Sequence, residues 1–135
     1  MSHVVLPPGW PRPRGYSNGI VARGDVLAIA GLIGWDETET LVSSEFLPQF
    51  RQALANLCAV VRTAGGRPEH VVSLTIYVTD KREYGGALRE VGAIYRELMG
   101  EHYPAMALVQ VADLLLPGAK VEIQGLAVLP PGGEP

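Results

Sequence analysis

The sequence is short of the residues that several kinds of function require. It holds a single cysteine, Cys58, in 135 residues, so no disulfide forms within the chain and no cysteine cluster holds a metal. Cys58 falls inside a predicted helix, where a buried, inert thiol is expected. Positive charge is also scarce: 11 lysines and arginines against 14 acidic residues give a net charge of −3, with no basic cluster. Nucleic-acid grooves and polybasic membrane surfaces both need concentrated positive charge, so neither partner is expected. His3, His70 and His102 are isolated in the sequence and lack metal-ligand spacing, so no metal is assigned. No cofactor is assigned either, because Gly65-Gly66 and Gly85-Gly86 lack the lysine and pattern of a phosphate loop. Ser17, Ser43 and Ser44 have no His/Asp constellation around them. No run approaches the length of a membrane span, and Met1 to Pro8 does not read as a signal peptide. A cytoplasmic protein is the simplest expectation.

What is present reads as one globular domain over residues 1–135, 47% hydrophobic and 19% charged. Residues 1–14 read as an extended proline-rich arm around Pro7-Pro8-Gly9-Trp10-Pro11-Arg12-Pro13, and residues 130–135 as a flexible tail. Tyr16 to Ala22 predicts a strand, with a turn at Arg23-Gly24-Asp25. The next run, Val26 to Ile33, is apolar at nearly every position, which predicts burial of both faces. After a loop from Trp35 to Ser44, Phe46, Phe50, Ala53, Leu57, Val60, Val61 and Ala64 recur at helical spacing, with Ser43 or Ser44 as cap. Pro48 fits only the first turn, and Gly65-Gly66 ends the helix. Val71 to Thr79 alternates as a strand with one face on a core. A second helix is expected from about Glu83 to Met99, striped by Leu88, Val91, Tyr95 and Leu98. Its glycines weaken it by about 1 kcal/mol each. Strands Ala105 to Ala112 and Val121 to Leu129 close the chain. The order β-β-α-β-α-β-β predicts an α+β fold, a mixed sheet with two helices on one face. Two helices cannot cover both faces of such a sheet, and a closed symmetric oligomer supplies the missing cover.

A set of segments resembles the RidA/YjgF family: Tyr16-Ser17-Asn18, Ala30-Gly31-Leu32-Ile33-Gly34-Trp35-Asp36, and Gln49 through Leu57. Val78-Thr79-Asp80, Gly100-Glu101-His102-Tyr103-Pro104-Ala105 and Val121-Glu122-Ile123 follow in family order. The resemblance implies a chorismate-mutase-like fold and a homotrimer with a central sheet barrel, helices outside and three clefts between subunits. The family's deaminases hydrolyse 2-imino acids to 2-oxo acids and ammonia. An arginine after Pro-Ala holds the substrate carboxylate, a glutamate on the last strand orients water, and a tyrosine and a strand glycine complete the cleft. By motif position these last three are Glu122, Tyr16 and Gly31, with Ile33 and Trp35 nearby. The departures are Met106 at the arginine position, Leu108 for a small or thiol side chain, and Gln124 for a second acid. An asparagine of the family's helix is replaced by Gly92 or Leu88.

Each candidate also has a plain structural reading. Met106 and Leu108 fill space as packing residues, Glu122 serves as a solvated strand residue or ion pair, and Tyr16 and Trp35 serve as cover. Gly31 marks a close backbone approach or offers its N–H to a ligand. His102 reads as a turn residue. Met106, Leu108 and Gln110 share one strand face, and Glu122 and Gln124 share another. If those two strands are neighbours, the apolar pair lines one cleft with Glu122 and raises its pKa by desolvation. Losing the guanidinium contact costs about 1.5–3 kcal/mol of carboxylate binding, and no other basic residue lies near the motif except Lys120, a weak substitute. The leading expectation is hydrolysis of an imine or enamine, with a small-molecule ligand more apolar or uncharged. The alternatives are a non-catalytic metabolite-binding or interaction trimer and, against the acidic balance, an endoribonuclease.

Overall fold

A computed structural model describes residues 2–131. Strands β1 (Ser2–Val5) and β2 (Gly19–Ala22) pair antiparallel as a separate ribbon. Strand β3 (Asp25–Ile33) leads to helix α1 (Phe46–Thr63), a single 3-10 turn (Pro68–His70) and strand β4 (Val71–Val78). Helices α2 (Lys81–Gly85) and α3 (Leu88–Met99), then strands β5 (Ala105–Gln110) and β6 (Val121–Leu129), complete the α+β fold.

The main sheet runs β3-β6-β4-β5, with β6 antiparallel to both neighbours and β4 parallel to β5. Strands β3 and β4 therefore also point the same way, and the chain makes two parallel crossovers stepping in one direction across the sheet. Crossovers of one hand stepping in one direction lie on one face, which is why all the helices cover a single side. The buried stripe of α1 (Phe46, Phe50, Ala53, Leu54, Leu57, Cys58, Val61) packs on Ile29, Leu74, Ile76 and Ile123 from that side.

The structure departs from the sequence expectations at four points. The first predicted strand does not join the main sheet: β2 pairs instead with Ser2–Val5 of the extended arm. The second helix is two: Gly85-Gly86 lets the chain break before Ala87, and Asp80 caps the short first piece through Arg82 N. Val60 and Leu88 belong to no buried stripe, being 36% and 61% exposed. Helix α1 is not capped by a serine; Glu45 holds the cap position without a side-chain hydrogen bond. In the single chain β3 is an edge strand whose second apolar face is open, Val26 being 70% exposed and Ala28 and Ala30 beside it also exposed, which is the face the sequence left for an oligomer to cover. The predicted tail lies mostly outside the described residues.

Candidate functional site

Two groups of predicted residues form two separate surfaces. On the helix-covered face, alternation in β5 turns Met106 and Leu108 inward, paired in register with Leu74 and Ile76. They line a cavity of about 500 Å³ between β5, α3 and the chain before β2. Its floor is aromatic. Phe50 and Tyr84 meet edge to face at 6.3 Å, and Tyr95 stacks on Tyr103 at 5.5 Å. Tyr95 OH donates to the His102 carbonyl at 2.7 Å, and His102 Nε2–H donates to the Val71 carbonyl at 2.6 Å, so His102 is spent on structure. Burial pushes the Tyr84 and Tyr95 phenols up, which keeps both neutral.

Tyr16 reaches this cavity because its neighbour Ser17 is pinned to the turn before β5. Ser17 N donates to the Pro104 carbonyl at 3.0 Å, and Ser17 Oγ donates to that of Tyr103. The same anchoring brings in Arg14, and α3 brings in Arg96. The Arg96 guanidinium folds back over Gly92, where an added Cβ would come within 3.2 Å of Nη1. Among the described residues no carboxylate lines the cavity, and neither arginine has an ion-pair partner. The expectation that no basic residue lies near Met106 is therefore corrected. Arg96 follows Gly92 by one helical turn, a spacing that was readable; the path that delivers Arg14 is tertiary and left no local signal.

Glu122 stands on the other, uncovered face. Strand β3 carries a bulge between Ile29 and Leu32, one extra residue opposite β6. The bulge sets Gly31 directly against Glu122, so that a Cβ at Gly31 would overlap the carboxylate. Ile33 pairs in register with Glu122 from β3, and Tyr77 pairs with it from β4. Tyr77 OH donates to Gln124 Oε1 at 3.0 Å. Trp35 follows just beyond β3, where α1 holds the chain: Asn56 Nδ2 donates to the Ile33 and Trp35 carbonyls at 3.0 and 2.9 Å.

The premise that β5 and β6 are neighbours fails, and with it the expected desolvation of Glu122 by Met106 and Leu108. Strand β4 separates the two. Its Ile76 pairs with both Leu108 and Ile123, whereas Tyr77 pairs with Val109 and Glu122. Met106 and Leu108 thus face the helices, while Glu122 and Gln124 face away from them. Lys120 is engaged elsewhere, its Nζ 3.0 Å from Glu83. Among the described residues no group of three His, Cys, Asp or Glu side chains could hold a metal, and no helix is long and apolar enough to cross a membrane.

Residues 11–129 match the family model described as Endoribonuclease L-PSP. A 2-iminobutanoate/2-iminopropanoate deaminase of Salmonella typhimurium is 32% identical over 132 residues, which cover 95% of this chain and 98% of that protein. A RutC family protein of Pyrococcus horikoshii is 30% identical over 115 residues, covering 84% and 88%. The crystal structure of YyfB from Yersinia pestis, a Rid-family protein of unknown function, superposes with a TM-score of 0.80 at 32% identity. It covers 95% of this chain and 98% of its own.

Proposed function

This chain belongs to the endoribonuclease L-PSP family of RidA and RutC proteins, and from that premise we propose that it is a RidA-like small-molecule hydrolase of the imine/enamine deaminase type. One observation carries the reading: Tyr16, Met106 and Leu108 line a cavity on one face of the sheet, and Glu122 lies over Gly31 on the other. Neither half makes a site alone, so the working cleft forms where the cavity of one copy meets the open face of the next. Because the two surfaces lie on opposite faces of the sheet, one twofold contact does not bring both into a single self-complementary patch; the contact closes as a ring, in the simplest case a homotrimer. The exposed Val26, Ala28, Ala30 and Leu126 then line the centre as a sheet barrel.

In that cleft the Glu122 carboxylate takes a proton from water as the oxygen attacks the imine carbon. It returns that proton to nitrogen, giving a carbinolamine, and then carries the carbinolamine's hydroxyl proton to nitrogen as the C–N bond breaks, so that ammonia leaves and the carbonyl forms. The Tyr16 phenol and the Gly31 N–H, at the bulge of β3, orient the substrate. Met106 and Leu108 give an apolar wall, with Ile33, Trp35 and Gln124 flanking Glu122. No cofactor or metal is required, and the protein is proposed to act in the cytoplasm. Net charge and the missing basic cluster argue against RNA as the substrate despite the family's description. Met106 at the position of the family's arginine favours one rival reading, a metabolite-binding trimer without turnover. Light scattering is expected to give three chain masses, with ammonia released from at least one 2-imino substrate above the buffer rate. A monomer or a twofold dimer would contradict the shared cleft, and a trimer releasing no ammonia would favour the rival.

A further inference from the structure

The cavity over Met106 joins two features that the loss of a strand arginine does not explain. Its floor is apolar and aromatic, with Phe50, Ile76 and Tyr95 each under 10% exposed. Its mouth carries two exposed guanidinium groups, Arg14 on the chain before β2 and Arg96 on α3. Neither has an acidic partner among the described residues. Gly92 leaves the surface of α3 bare where the Arg96 guanidinium lies.

We propose that this cavity binds an amphipathic carboxylate, an aryl or medium-chain acid. Its apolar body lies on the aromatic floor and its carboxylate is held at the mouth by Arg96 and Arg14. The inference rests on reading the cavity as the ligand half of the shared cleft, and it names the ligand's class. A volume of about 500 Å³ falls in the usual range of small-molecule sites, and a three- or four-carbon imino acid would leave most of it empty. Arginine suits the task because its planar fork meets a carboxylate with two parallel hydrogen bonds. The apolar interior admits one charged end and no second, which disfavours nucleotides and dicarboxylates. The anion-holding role thus moves from the strand to the helix and the arm, and the space at Met106 is left to a larger apolar group.

Calorimetry with octanoate and phenylacetate, against their neutral amides octanamide and phenylacetamide, tests this on the full chain. The acids are expected to bind about 10- to 100-fold more tightly than the amides. Arg14→Gln with Arg96→Gln is expected to erase that preference, while Arg14→Lys with Arg96→Lys, which keeps the charge, retains part of it. Amides that bind as well as acids to the unaltered protein would overturn the proposal. So would an acid preference that survives the glutamine pair or, should that pair misfold, one that vanishes in a folded lysine pair. Binding is read without turnover, so failure of the hydrolase reading is seen separately. Acid-selective binding with no ammonia release would sink that reading alone, and ammonia release without acid preference would sink this one.

Discussion

Replacing Glu122 by alanine is expected to lower ammonia release about 100- to 10,000-fold, the usual yield of a positioned general base, with the oligomer unchanged. Glu122 is half-buried on the uncovered face and carries no hydrogen bond or ion pair to a side chain among the described residues. Its removal therefore leaves no partner orphaned in the core, and stability is expected to move little. A companion variant sharpens the result. Gly31→Ala puts a methyl group where the Glu122 carboxylate lies, so it is expected to lower turnover by displacing the base while the glutamate remains in the chain. Ammonia release is followed from 2-imino acids and bulkier imines generated in the assay. An alanine variant at Glu122 as fast as wild type on every substrate would refute the mechanism.

The largest effect on stability is expected at Gln49. Its side chain is fully buried, and every polar atom is used: Nε2 donates to the Ser43 and Gly118 carbonyls at 2.9 Å, and Oε1 accepts from Lys120 N at 2.8 Å. One carboxamide thus ties the loop after β3 and the loop before β6 to helix α1. Gly34 makes the close approach possible, since a Cβ there would come within 2.6 Å of the Gln49 backbone. Gln49→Leu keeps the volume but leaves two carbonyls and one N–H without partners, at about 1–3 kcal/mol for each group that stays dry. A loss of about 3–6 kcal/mol is expected in urea unfolding, a large part of a typical domain's stability. Because Lys120 leads directly into the strand that carries Glu122, turnover should fall with it. A loss under about 1 kcal/mol would show that water replaces the carboxamide without penalty.

Much of the fold was legible because hydrophobic period reports which side of an element is covered. Alternation placed Leu74, Ile76 and Val78 inward, and helical spacing placed Phe46, Phe50, Ala53, Leu57 and Val61 inward; Val60 is the exception in the helix, and the register shift between Val71 and Ser73 buries Val71 in place of Val72. The excess of sheet over helix likewise pointed to an uncovered face. Strand order was not legible, since β5 and β6 are adjacent in sequence yet lie on either side of β4. That single error put Met106 and Glu122 in one cleft of one chain, where register sets them on opposite faces. Parity within each strand follows from alternation alone; parity between strands depends on pairing that no local pattern encodes. The arginines were missed for a related reason. Arg14 and Arg96 are 82 positions apart in numbering and line one cavity only because Ser17 binds the turn before β5. Glu122 and Gly31 were singled out by family position, and the bulge supplies the physical reason that the two belong together.

In the proposed assembly each working cleft takes its cavity from one copy and its glutamate from another. The most direct test mixes two inactive variants: Glu122→Ala, which lacks the base, and Met106→Trp, which fills the cavity. After the subunits are exchanged in equal amounts, about one cleft in four pairs an intact cavity with an intact glutamate in a randomly assembled ring. Ammonia release near a quarter of the wild-type rate is the expected result. Mixed, exchanged subunits as inactive as either parent would show that no such cleft is shared.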